Sequence, residues 1–353
     1  MSAYHEDQKL KDTLKLREIL SGLPPFVSGF MRGVSQRTSV KTRLGYAYDL
    51  RLFFGYLSEE HPHFSGKPMA DLNIADLEKV SPEDIELFLD YISYYVKNEP
   101  GGASSQELTN DEKGKARKLA AIRSMYKYLN KKLKIKVNPA SVVETPKIHD
   151  KVIVRLEPDE VAVLLDEIES GESLTEKQKQ FHEHTKTRDL ALVTLLVGTG
   201  MRVSECAGIN TDDIDFKTNG VKIIRKGGKE SVIYFGEEVA DALLALLEER
   251  KKSPPQNTDE KALFLSLRGS RLSVRAIQNI VKKYSRVSVK LKNISPHKLR
   301  STYGTNLYRE TGDIYLVADV LGHSDVNVTK RHYADIEEDR RRAAANIVKL
   351  RKG

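Results

Sequence analysis

A single cysteine, Cys206, leaves no partner for an internal disulfide and too few thiolates for a cysteine-based zinc site. That scarcity fits a reducing cytoplasm, and Cys206 itself reads as a small helix-packing residue. Long apolar runs are also missing: none approaches the roughly 18 to 20 residues needed to cross a bilayer. The opening MSAYHEDQKLKD lacks the charged-then-apolar order of a secretion signal, so a cytoplasmic protein without a membrane partner is expected. Internal repeats and low-complexity tracts are absent. Acid is missing from one stretch in particular: Lys113 to Lys136 holds ten Lys or Arg and no Asp or Glu, while Asp71 to Asp90 holds seven acids and one lysine. The net charge of +8, from 58 basic and 50 acidic side chains, permits a nucleic-acid partner. The uneven placement of that charge points to one electropositive side of the N-terminal half.

The 353 residues suffice for two domains with separate cores. Residues 1–22 read as a polar lead-in. In SVKTRLGYAYDLRLFFGYL, Leu44, Ala47, Leu50, Phe53 or Phe54, and Leu57 recur at helical spacing behind Ser39 as N-cap. Ser81-Pro82-Glu83-Asp84 announces a second helix with Ile85, Phe88, Leu89 and Ile92 as its apolar stripe. After the loop NEPGGASSQELTN a third helix places Leu119, Ile122, Tyr126, Leu129 and Leu133 on one side. Lys115, Arg117, Lys118, Arg123 and Lys127 fall off that stripe. With few acidic partners at i,i+4, these cations suit phosphate better than a mixed solvated face. An all-helical domain over 23–143 is expected, then a linker over 144–154 and a second domain over 155–353. In the second domain Glu157 to Ile168 and Asp189 to Val197 read as helices, and LTEKQKQFHEHTKTR as an exposed insertion. Val221 to Arg225 and Val232 to Phe235 form a hairpin around Lys226-Gly227-Gly228-Lys229. His182-Glu183-His184 and His61-Pro62-His63 alternate histidines but lack a third ligand nearby, so neither a metal nor any other cofactor is expected.

The chemistry is concentrated late in the chain. KRHYAD sets the phenol of Tyr333 beside Lys330, Arg331 and His332. An ordinary phenol titrates near pH ~10 and attacks only with cationic or basic help. Candidates for that help are Arg202 in GTGMRVSE, Lys226 at the hairpin tip, His297 and Arg300 in PHKLR, and His323 in LGH. Each alone has a plain structural explanation: Arg202 can pair with Glu205, Lys226 can decorate a turn, and His297 can cap a helix after Pro296.

Together and in this order, TGMRVSE, KGGKE, HKLRSTYGT, LGHSDVNVT and the following tyrosine resemble the successive catalytic boxes of the tyrosine recombinases, the family of phage integrases and Xer-type resolvases. TRLGYAYDLRLFFGYL, DIELFLDYI and RKLAAIRSMYKYL followed by NPA resemble the family's core-binding domain. The interval from His323 to Tyr333 is one residue longer than in typical Xer-type sequences. With only residues 1–22 ahead of the core-binding region, a full separate arm-binding domain is not expected.

The resemblance implies a mainly α protein with a small β component, in which a helical, SAM-like core-binding domain and a mixed α/β catalytic domain clamp DNA. It implies a site-specific recombinase that cuts and rejoins strands through a 3′-phosphotyrosyl intermediate, for integration, excision or dimer resolution. The catalytic set becomes Arg202, Lys226, His297, Arg300, His323 and the nucleophile Tyr333, with Tyr303 and Tyr308 as weaker candidates for the nucleophile. His297 is either proton acceptor or phosphate donor. The basic faces add Lys41, Thr42, Arg43, Lys118, Arg123 and Lys127 as DNA contacts. The tail EEDRRRAAANIVKLRKG reads as a helix that, in the family, docks on a neighbouring subunit, which implies a homo-tetramer on two DNA sites. The rival readings are a type IB topoisomerase-like relaxing enzyme and a catalytically silent DNA-binding protein.

Overall fold

The computed structural model describes residues 3–98, 105–148, 154–225, 227–252, 261–322 and Val326. The chain divides between Asp150 and Lys151 into two units, and the whole is mainly helical with a small β component.

The first unit is built on helices α1 (Ala3–Ser21), α2 (Pro25–Gly33), α3 (Val40–Glu59), α4 (Ile74–Leu77), α5 (Pro82–Tyr91) and α6 (Glu112–Lys131). The 1–22 segment is more than a lead-in: although most of α1 is polar, Leu16 and Ile19, one turn apart, join the core. Ser39 caps α3 by accepting from the Thr42 amide, and Ser81 and Asp84 cap α5 reciprocally, both at the positions the sequence marks. The core is aromatic. Phe53 meets Phe88 edge-on at 5.1 Å and Phe26 meets Phe54 at 5.6 Å, while the buried Tyr126 on α6 donates its hydroxyl to the Leu77 carbonyl at 3.3 Å.

This unit is not all helical. The segment read as a loop supplies one strand of an antiparallel hairpin, β1 (Tyr94–Asn98) with β2 (Ser105–Thr109), Tyr94 opposite Thr109. The β-branched and aromatic run YYV and the alternation in SQELT favour strand pairing, a signal that Pro100 and two glycines mask when the stretch is read whole.

In the second unit, α7 (Pro158–Ser170), α8 (Glu176–His182), α9 (Lys186–Thr199) and α10 (Val203–Ala207) precede a three-stranded antiparallel sheet. Its strands are β3 (Ile214–Asp215), β4 (Gly220–Ile224) and β5 (Glu230–Tyr234), in the order β3-β4-β5. Helices α11 (Glu237–Lys252), α12 (Val274–Ser288), α13 (Pro296–Thr311) and α14 (Ile314–Leu321) follow. Ala262 and Leu265 form isolated bridges, Asn210 with Ala262 and Leu265 with Arg271. Helix α9 is apolar nearly all round and is the centre of the unit, packing on α7, α11 and α13.

The insertion read as exposed forms α8, and His182 is buried, its Nε2 donating to the Ile168 carbonyl at 2.8 Å. Beneath it lies a charged node. Asp189 on α9 is fully buried and accepts from Arg188 (2.6 Å), Lys283 (3.1 Å) and the Tyr284 hydroxyl (2.9 Å). Burial holds the Lys283 ammonium below its ordinary pKa, and Asp189 acts in the opposite direction. Removing the carboxylate takes the shared buried acceptor from two largely buried cations and the Tyr284 hydroxyl, so Asp189→Ala is expected to destabilise the second unit by about 3–5 kcal/mol in urea unfolding. A loss below about 1 kcal/mol would show that the node behaves as a surface ion pair.

Candidate active site

Helix α9 ends at Gly200, whose φ of +62° turns the chain into the left-handed region. A β-carbon there would lie 2.5 Å from the Tyr303 ring and 2.9 Å from Leu321, so the turn is pressed against α13 and α14. The Gly200 carbonyl accepts from Arg300 Nη1 at 2.7 Å. Two residues on, Arg202 is the N-cap of α10: its amide donates to Glu205 Oε2 at 2.7 Å and its Nη1 to Oε1 at 2.9 Å. Glu205 is buried, so a charge-assisted pair fixes the plane of the guanidinium. The pairing with Glu205 expected of Arg202 is therefore realised.

Arg300 sits one turn after His297 on α13 and is itself buried, its Nη2 donating to the Leu321 carbonyl. Arg202 Nη2 donates to the next carbonyl, Gly322, at 3.2 Å. Both guanidiniums thus converge on the end of α14, where a helix leaves carbonyls in need of partners. Gly322 closes that helix at φ +63° and leads in sequence straight to His323. His297 is exposed at the start of α13, where Ser295 takes the N-cap position and Pro296 the first turn. Lys226, His323, Tyr333 with its neighbours Lys330 and His332, and the tail expected to be helical lie outside the described residues.

The sequence reading missed Arg225. Its Nη2 donates to the Val320 carbonyl at 3.2 Å, adding a third guanidinium to the same turn. Its place just before Lys226 was the only hint available. Other tyrosines are placed against a nucleophilic role. Burial raises the Tyr303 phenol above its ordinary pKa, and Tyr308 is buried among Val317 and Leu321. Among the described residues no three His, Cys, Asp or Glu side chains are grouped to hold a metal ion. His61 spends its Nε2 on Asp84 (2.9 Å) and accepts from the His63 amide at its Nδ1.

In the first unit Lys41 and Lys127 are exposed, and Thr42 and Arg43 are half-buried at the start of α3. Arg43 borders a groove of about 580 Å³ that Arg17 and Arg32 also line. Lys118 and Arg123 depart from the exposed basic face expected of them. Lys118 is only 6% exposed and donates its ammonium to Asn110; burial lowers its pKa, the neighbouring Arg117 lowers it further, and Asp49 partly offsets both. Arg123 spends its guanidinium on the carbonyls of Ala140 and Val143 and on the Thr145 hydroxyl, tying the segment that leaves the bundle back to α6.

A model of the phage integrase family matches residues 154–340. The tyrosine recombinase XerC of Caldanaerobacter subterraneus subsp. tengcongensis is 34% identical over 334 residues, covering 92% of this chain and 86% of that protein. Among solved structures, the XerH site-specific recombinase bound to palindromic difH substrate in a post-cleavage complex superposes with a TM-score of 0.60 at 20% identity, over 88% of this chain and 81% of that one. The Tn1549 transposon integrase in complex with transposon right end DNA gives 0.59 at 19%, over 89% and 98%.

Cys206, on the short helix that Arg202 caps, is buried, and burial pushes its thiol above the ordinary range. The native protein is therefore expected to react with Ellman's reagent at pH 8 only after denaturation. Rapid labelling of the folded chain would show that α10 opens.

Proposed function

The chain belongs to the phage integrase family and is a tyrosine recombinase that acts on DNA, and on that premise we propose which of its residues carry the reaction and how they are assembled. The observation that supports the assignment best is the convergence of Arg202 and Arg300 on the final turn of α14, immediately ahead of His323 in sequence.

In this reading the Tyr333 hydroxyl attacks a backbone phosphorus. A bond forms between its oxygen and phosphorus, the bond from phosphorus to the 5′ oxygen breaks, and the enzyme is left on the 3′ phosphate. Arg202 and Arg300 donate to the nonbridging oxygens and offset the charge that builds at the five-coordinate phosphorus. Their planes are set beforehand by Glu205 and by backbone carbonyls, so little reorganisation is left for the moment of reaction. Lys226 gives a proton to the leaving 5′ oxygen, and His323 donates to a nonbridging oxygen. His297 accepts the phenolic proton or adds a further hydrogen bond to the phosphate. The phosphotyrosyl ester keeps the bond energy of the phosphodiester, so a 5′ hydroxyl from a second duplex reverses the step without ATP.

Residues 23–143, together with α1 packed on their core, serve as the core-binding domain, joined through 144–154 to the catalytic domain over 155–353. Lys41, Thr42, Arg43 and Lys127 contact phosphate. Lys118 and Arg123, whose heads are committed to the protein, are left out of that set. Four copies assemble on two DNA sites by exchange of their C-terminal segments, in the cytoplasm.

Suicide duplexes with a nick beside a randomised site, recovered by their covalent attachment to the protein, present many candidate targets at once and let the enzyme select its own. Tyr333→Phe is expected to abolish the attachment, and an undiminished adduct would reassign the nucleophile. Relaxation of plasmids lacking any recovered site would favour the topoisomerase reading. Lys127→Ala is expected to weaken binding evenly across sequences and to reduce the slope of log affinity against log salt by about 0.9; an unchanged slope would remove Lys127 from the interface.

A further inference from the structure

We propose that Arg225 is a positioning residue for the leaving-group proton: it ties the end of β4 to the last turn of α14 and thereby sets where the chain enters Lys226. The inference rests on the role given to Lys226 above and goes beyond it.

Arg225 stands where β4 gives way to the hairpin turn. Its amide donates to the Lys229 carbonyl at 2.8 Å, and its own carbonyl accepts from the Gly228 amide at 3.0 Å. Past it come the two glycines of the turn. Gly227 and Gly228 have φ values of +91° and +83°, and a β-carbon on either would meet nothing within 4 Å. Arg225 is thus the last side chain anchored to the body of the unit before Lys226.

The anchor is specific. The half-buried guanidinium crosses to the Val320 carbonyl, 95 residues away in sequence. It lies so close to Gly322 that a β-carbon there would fall 1.1 Å from Nη1. Three successive carbonyls, of Val320, Leu321 and Gly322, therefore each accept from a different arginine, Arg225, Arg300 and Arg202 in turn. The C-terminus of a helix carries partial negative charge and favours cations, so a single turn serves as the common reference for all three. Arg202 and Arg300 are fixed against that turn as the phosphate-binding pair, and Arg225 fixes the hairpin against the same turn. A general acid must come within about 2.6–3.2 Å of the oxygen it protonates, and a displacement of about 1 Å costs around 10²-fold in rate.

Two versions of one recovered suicide duplex distinguish this role from a general loss of structure, one with the natural scissile phosphate and one with sulfur in place of the bridging 5′ oxygen. A thiolate leaves without being protonated, since thiols titrate near pH ~8.5. The full-length Arg225→Ala protein is expected to form adduct about 10²-fold more slowly on the natural duplex, and at close to the wild-type rate on the sulfur duplex. Lys226→Ala should show the same rescue and Arg300→Ala should not. Arg225→Met keeps the stem packed and removes only the donors; it carries the same expectation should the alanine variant not fold. An equal loss on both duplexes, no loss on either, or a Lys226→Ala defect that sulfur does not relieve each overturns the inference. If the wild-type protein attaches to no duplex in the pool, the recombinase chemistry proposed above fails first, and this role with it.

Discussion

The last turn of α14 is the point from which the catalytic unit takes its geometry. A helix end leaves carbonyls without helical partners, and here three successive ones are satisfied by guanidiniums from three separate parts of the chain. Arg202 arrives from the cap of α10, Arg225 from a strand end and Arg300 from the middle of α13. Buried arginine is costly unless its donors are occupied, so the same bonds that stabilise the turn also fix the cations in place. Within this group of three guanidiniums, Glu205 pairs with Arg202. Such a concentration of fixed positive charge suits a phosphodiester that gains negative charge as it reacts.

How much of this was legible in the sequence follows from the range over which each signal acts. Caps at Ser39 and Ser81 and the strands on either side of Lys226 depend on neighbours a few residues away, and all are readable. Arg202 and Arg300 were found as members of an ordered set of motifs, and the structure brings them to one turn. Arg225 belongs to no motif: its role depends on a contact with Val320 that no local pattern encodes. The β1–β2 hairpin was hidden by the proline and glycines at its centre, and α8 by a polarity that suggested a solvent-exposed loop.

The basic helix α6 shows the limit of charge patterning. Its lysines and arginines were all off the apolar stripe, yet they divide between two duties. Lys127 is left in solvent, while Lys118 turns inward beside Asn110 and Asp49, and Arg123 gathers the backbone of residues 140–145. Helical spacing says which side a residue is on, but not whether a long side chain bends back to serve a buried acceptor. The acceptors here, Asn110 just ahead of α6 and Ala140, Val143 and Thr145 beyond it, sit in the chain that flanks the helix and carry no helical spacing of their own.

The Arg225 guanidinium fills the space that a side chain at 322 would need, and this constrains how the pair can change over generations. A side chain at 322 has nowhere to go while the guanidinium is in place, and the left-handed backbone there adds strain of its own. Any enlargement of the glycine therefore requires the guanidinium to swing aside, which gives up its bond to the Val320 carbonyl. A change at either position thus undoes the same tether, one by removing the donor and the other by displacing it.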